Sequence, residues 1–298
     1  MPGYQQSYAR LPSSVWPYIQ AVSGKKPLLA PPECVVPDIT VEAHTVAINA
    51  NHLRRYRAAC GIEASATLPH AYLHVLAMPL HMRVFTHAQF PVKVLGLVHL
   101  RNVIRQWQAI PVDASLKLTV RFNTLRETAS GQEYDLVTVA ELAGQPVWEE
   151  VSTMLARRIT PGKRPTIERA QRDEARLLAE QTITTAANTG RRYAWVSGDF
   201  NPIHLFDRSA QWFGFKQTVA HGMWSLARCI GLAEKYLPVA PFTLDAQFKL
   251  PVYLPSEFVF RAQRNATGAD LSLSTTKGDR LHLTVKVDRL QEQNSRHV

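Results

Sequence analysis

The chain has 298 residues, 46% of them apolar, and a net charge of +10. That length is more than one small core needs and suits two ordinary domains. No run of 18 apolar residues occurs, which excludes an obvious membrane-spanning helix. The opening MPGYQQSYARLPSSVWPYIQ has no basic stretch followed by an apolar one, so no secretory leader is expected and the cytoplasm is the expected location. Three well-separated cysteines (Cys34, Cys60, Cys229) fit unpaired thiols in a reducing compartment. They make no CxxC or Cys/His grouping, so no metal is expected. The basic residues are scattered, with no helix-turn-helix, RNP or finger spacing. Nucleic acid is therefore not an expected partner, whereas a phosphate-bearing ligand or an acidic carrier protein would suit the charge.

Residues 1–37, rich in Pro, Ser and Tyr, read as an N-terminal arm. Residues 38–160 form a first domain. Its run YLHVLAMPLHMRVF, from Tyr72 to Phe85, has the length and apolarity of a buried helix, and Pro79 predicts a kink or break there. Alternation of apolar residues predicts strands at 116–122, 134–141 and 147–155. Residues 161–175 are charged and proline-containing and read as a linker, leading into a short helix around 168–182. A second domain spans 176–298. Its apolar run from Met223 to Tyr236 predicts a second buried helix. Strands are predicted at 242–250, 256–264, 271–276 and 281–290.

The halves repeat one another. Arg54-Arg55-Tyr56 with Gly61, and Arg191-Arg192-Tyr193 with Gly198, share one offset of 137 residues. The order of elements also repeats: loop, short helix, long apolar helix, strands. Duplication of an α+β unit follows, each with a sheet wrapped round one helix. At the same offset, Asp199, Asn201 and His204 meet Ile62, Ala64 and Thr67. The first half keeps the scaffold marks and is expected to lack the polar groups of the second.

Those polar groups lie in YAWVSGDFNPIHLFDRSA (193–210). Pro202 fixes its own φ and keeps Asn201 out of the helical region, so Gly198–Ile203 should be a turn. Asp207 is placed to cap a short helix at 208–213. A carboxylate and an imidazole five residues apart in such a turn can converge on one water and move its proton. They can equally be a turn-capping Asp199 and a packed His204, and spacing leaves both readings open. Downstream, Ala220-His221-Gly222-Met223 opens the buried helix. Its first N–H groups carry partial positive charge, and Gly222 would let a carbonyl oxygen approach them. His221 could instead only pack there. Beyond lies Gln247-Phe248-Lys249-Leu250-Pro251, where Lys249 could reach a phosphate or simply be solvated.

Together YAWVSGDFNPIHLFDRSA, AHGM and FKLPVYLPSE resemble the hydratase 2 motif of MaoC-like (R)-specific enoyl-CoA hydratases, in the same order and at about the same spacing. The likeness is strong over 175–298, and the first half resembles the degenerate, non-catalytic hotdog of two-hotdog members. The resemblance implies a double hotdog fold. It implies a hydro-lyase that hydrates trans-2-enoyl thioesters, or dehydrates (R)-3-hydroxyacyl thioesters, carried on coenzyme A or acyl carrier protein in fatty acid metabolism. It makes Asp199 and His204 the catalytic pair, Asn201 their orienting residue and Gly222 N–H the thioester-oxygen donor, and the sequence matches at all four. Ser197, Gly198 and His221 would support them. No cofactor would be needed, since coenzyme A belongs to the substrate. The chain could be complete as a monomer or pair as a homodimer. An acyl thioesterase of the same fold would want a carboxylate on the central helix, for which Glu234 is the candidate. A non-catalytic acyl-binding subunit would have no use for Asp199 and His204.

Overall fold

The computed structural model describes residues 3–13, 26–158 and 176–290. The N-terminal segment is not wholly irregular: Tyr4–Tyr8 forms β1, parallel to β2 (Ile39–Ala47). After β2 come α1 (Ala50–Cys60), α2 (Tyr72–Thr86), β3 (Leu97–Gln106), β4 (Ser115–Thr128), β5 (Gly131–Leu142) and β6 (Gln145–Arg157). The second half repeats the order with β7 (Leu177–Thr185), α3 (Thr189–Ser197), α4 (Asp207–Trp212), α5 (Gly222–Ala233), β8 (Phe242–Phe248), β9 (Ser256–Arg264), β10 (Gly268–Thr275) and β11 (Leu281–Arg289). The proposed linker at 161–175 lies outside the described residues.

One eleven-stranded sheet runs in the order β1-β2-β4-β5-β6-β3-β8-β11-β10-β9-β7. β3 and β8 pair antiparallel at the seam, Arg101 opposite Gln247 through Gln106 opposite Phe242, and the strands of each half fan outward from them. Each half wraps its sheet round its own long helix. α2 packs on β2, β4 and β5, and α5 on β10 and β11. This is the double hotdog that the resemblance implied. In β8 the alternation places Phe242, Leu244 and Ala246 in the core.

The two short helices show the repeat at atomic scale. α1 ends on Gly61 at φ +63° and α3 on Gly198 at φ +74°, both left-handed positions that favour glycine. The helices pack on each other, with Tyr56 and Tyr193 rings 6.3 Å apart.

Three expectations need correction. Residues 177–182 are strand, not helix: LLAEQ has helical composition, but pairing with β9 decides otherwise. α2 runs unbroken through Pro79, because ten of its fifteen residues are buried and that packing offsets a lost hydrogen bond. Asp207 does not cap α4. Its carboxylate accepts from the backbone N–H (2.8 Å) and hydroxyl (2.6 Å) of Thr218, pinning α4 to the segment before α5.

Candidate active site

α3 delivers the chain into the site. Gly198 reverses its direction, and Asp199 follows at once. The Asp199 N–H donates to Ser197 Oγ (3.2 Å), and the Asn201 N–H donates to Asp199 Oδ1 (3.1 Å). Asn201 therefore aims the carboxylate through its backbone. Its side chain accepts from the Ile203 N–H (3.4 Å) and starts the single 3-10 turn Pro202–His204. That turn swings His204 back beside Asp199.

His204 is buried, and its Nδ1 lies 2.7 Å from the Val219 carbonyl oxygen. A carbonyl only accepts, so Nδ1 carries the proton and Nε2 is left as a bare lone pair. His221 stacks on His204, ring centroids 3.7 Å apart. Its Nε2 donates to the Asp199 backbone oxygen at 2.9 Å and stands 3.8 Å from Asp199 Oδ2. His221 is thus a strut between the 199–204 turn and α5, with Nδ1 buried and unpaired among the described residues. The Asp199 side chain keeps 33% of its exposure, into the cavity below.

The electrostatics sort the groups. Burial would push the Asp199 pKa up, but His221, His204 and the Asn201 N–H outweigh it and hold the carboxyl below its ordinary range. For His204, burial outweighs the pull of Asp199, and the ring titrates below the usual histidine value. Burial and neighbouring His204 push His221 down to about 3. At neutral pH the site therefore holds a carboxylate beside two neutral imidazoles.

Asp199, His204 and His221 offer ligand-type atoms within 4.8 Å of one another, a grouping the sequence did not suggest. His204 Nδ1 and His221 Nε2 are the protonated donors to carbonyls, which leaves His204 Nε2 and His221 Nδ1 bare. Asp199 and His204 Nε2 can between them take and return a proton.

Gly222 begins α5, so its N–H has no partner within the helix. A Cβ there would stand 3.0 Å from the Phe248 ring. A cavity of about 400 Å³ opens beneath, lined by Asp199, Asn201, His204, His221 and Gly222. Ser197 also lines it, and Gly198 sets the turn. Lys249 is at the wall too, its Nζ donating to Gln247 Oε1 at 2.8 Å. Glu234 is exposed, in a turn after α5, and is not among the lining residues. The sequence reading missed Tyr193, whose ring lies 4.9 Å from that of His221, although it belongs to the repeated motif. It also missed the first half's share of the wall. His74, Met78, His81, His99 and Ser152 all line the same cavity. The first half does lack Asp199, Asn201 and His204, but it is not stripped of polar groups.

Residues 169–284 match the model of the MaoC like domain. A 3-hydroxyacyl-thioester dehydratase X of Mycobacterium tuberculosis is 30% identical over 285 residues, covering 93% of this chain and 98% of that protein. The chain belongs to the MaoC-like dehydratase family. The crystal structure of HtdX from M. tuberculosis superposes with a TM-score of 0.73 at 29% identity, over 84% of this chain and all of that one. A MaoC-like dehydratase from Phytophthora capsici shares the fold, with a TM-score of 0.66 at 17% identity over 88% of this chain and 98% of its own. Among the described residues no helix is long and apolar enough to cross a membrane.

Proposed function

We propose that this MaoC-like enzyme adds water reversibly and stereospecifically to trans-2-enoyl thioesters, giving (R)-3-hydroxyacyl thioesters. The observation that carries the reading is the meeting of Asp199 and His204 at one end of a cavity, beside the free N–H of Gly222. The thioester carbonyl oxygen sits on that N–H at the positive end of α5, which draws electrons from the double bond. Asp199 and His204 hold one water between them. Its oxygen bonds to C3, its proton passes to the pair, and the pair delivers a proton to C2. The sum is H and OH across the double bond, with no redox change. No cofactor beyond the coenzyme A of the substrate is required. With the carbonyl fixed and the water held on one side, addition comes from one face. Lys249 at the wall is placed to meet a coenzyme A phosphate. An acyl carrier protein substrate would suit the basic surface as well.

The test is a spectrophotometric assay with crotonyl-CoA and a longer trans-2-enoyl-CoA. Asp199→Asn and His204→Ala should each lose at least about 100-fold in kcat/KM while remaining folded. Release of free thiol instead of hydration would move the reading to a thioesterase.

A further inference from the structure

The cavity does not end at the reacting groups. It is also lined by residues of α2 and of the first half's sheet, and in this part of its wall stands a buried polar cluster. His74 Nδ1 bonds the Glu150 carboxylate at 2.9 and 3.0 Å. Asn102 Nδ2 donates to Glu150 Oε1 (2.7 Å) and to Ser152 Oγ (3.0 Å). His81 Nε2 bonds Thr138 Oγ1 at 2.8 Å. His74 is 8% exposed and Glu150 fully buried.

The cluster is close to the chemistry. Met78, one turn after His74, lies where a Cβ on Gly198 would meet it at 3.5 Å. The His99 ring packs 4.8 Å from Phe248, which is the ring facing Gly222. Gly222, Phe248, His99 and His74 thus follow one another along the cavity wall, with the His99 and His74 rings 6.0 Å apart. The wall also includes Met82, Phe85, Leu136 and Met154, and with them Arg157.

A buried ion pair in such a channel is costly, and hydrophobic side chains of the same size would line it more cheaply for a plain hydrocarbon. The pair is also incompletely used. Burial would lower the His74 pKa, but the Glu150 charge and hydrogen bonds outweigh it, and the ring is held above the usual histidine range. Glu150 takes Nδ1, and among the described residues no group takes Nε2, on a ring that lines the cavity. Nε2 of His99 and Oδ1 of Asn102, in the same cluster, are buried without partners. An unpaired nitrogen on a ring in a cavity wall points to a ligand that supplies the partner.

We propose that His74, held by Glu150, is the anchor of a second subsite that binds an oxygen substituent, hydroxyl or oxo, on the acyl chain beyond C3. This rests on the reading that the cavity takes an acyl thioester, and it narrows that reading to oxygenated chains. His74 Nε2, the ring nitrogen that Glu150 does not use, meets the oxygen, and Ser152, also in the wall, is the neighbouring hydroxyl.

Calorimetric titration tests this without turnover. Saturated acyl-CoA esters of one length are compared with isomers whose hydroxyl is moved along the chain from C4 outward. Wild type should bind one isomer about 10- to 100-fold more tightly than the plain ester, the range of a hydrogen bond to a charged group. In the double variant His74→Phe/Glu150→Gln, which leaves no lone buried charge, the preference should vanish while butyryl-CoA binds as before. Equal binding of all long esters by wild type would overturn the subsite and leave the cluster as a holder of trapped water. A preference that survives in the double variant would overturn the assignment to His74. Crotonyl-CoA hydration by wild type, run alongside, separates the two readings. Its loss would count against the reaction, and a tighter hydroxylated ester would still support the subsite.

Discussion

One hydrogen bond decides what His204 can do. Because Val219 offers only a carbonyl, the proton stays on Nδ1, and Nε2 faces the site as a base. The ring must be neutral to work, and burial has already moved its pKa below the ordinary 6.5. The sign follows directly. Lowering the pH protonates His204 and removes the base, but only below its depressed pKa. kcat/KM for an enoyl thioester should therefore stay level as pH falls through 6.5 and decline only in more acid solution. Asp199, also depressed, is ionised throughout that range. A pH–rate profile whose acid limb has its midpoint above 6.5 would show that His204 is not held neutral by its surroundings. At this scale the sequence was legible, because Asp199, His204 and Gly222 lie within two dozen residues. His74 and Glu150, 76 residues apart, carry no local signal of their meeting. The same holds for His221, whose part as a strut depends on a backbone oxygen that no motif encodes.

Among the elements, α3 has the narrowest tolerance. Gly190, in its first turn, lies directly against the backbone carbonyl oxygen of His204, and a Cβ there would run into it. Arg191 holds the next carbonyl, Leu205, at 2.7 Å. Helix and the 199–204 turn are thus held by a backbone contact at Gly190 and by the Arg191 guanidinium, and at Gly190 no side chain stands between them to yield. Gly190→Ala should cost about 1–3 kcal/mol in stability, as overpacking does. It should also displace His204 and lower kcat by at least about tenfold, since small misplacements of a reacting group are costly. Thermal unfolding and steady-state kinetics on the purified variant check both parts. A wild-type Tm together with a wild-type kcat would mean the turn is free to slide. The same helix explains part of what the sequence showed. Its Arg-Arg-Tyr and terminal Gly recur in α1, so the duplication was visible before any contact was known. β4 and β8, with clean alternation, were legible too, and β5, β6 and β9 to β11 were read from strand-like runs. β3 was not, because LVHLRNVIRQ mixes charged and polar residues into a strand at the centre of the sheet. β7 was misread because its composition favours helix while its partner β9 favours strand.

For the whole molecule, burying so many imidazoles sets a limit in acid. His81 and His221 are pushed down to about 3 and His99 to about 4, in each case first by burial. In the unfolded chain each would titrate near 6.5. A histidine with a depressed folded pKa leaves stability unchanged above 6.5. Below 6.5 the unfolded chain binds a proton that the folded one refuses, so stability falls by about 1.4 kcal/mol per pH unit per ring. At pH 5 that is roughly 2 kcal/mol for each of the three rings. His74 works the other way: its raised pKa stabilises the fold below 6.5 and offsets part of the loss. Glu150, held down to about 2 by His74 against the push of burial, gives up its contribution only in much stronger acid. The three rings together cost about 6 kcal/mol by pH 5, less the offset from His74, against the 5–15 typical of a domain. The Tm should be level from pH 8 to 6.5 and then fall by several degrees by pH 5, before most carboxylates titrate. Differential scanning calorimetry at these three pH values decides it. A Tm that holds to pH 5 would mean that the cavity admits enough water to let the rings charge in place, and the channel would then be wet rather than dry along its polar stretch.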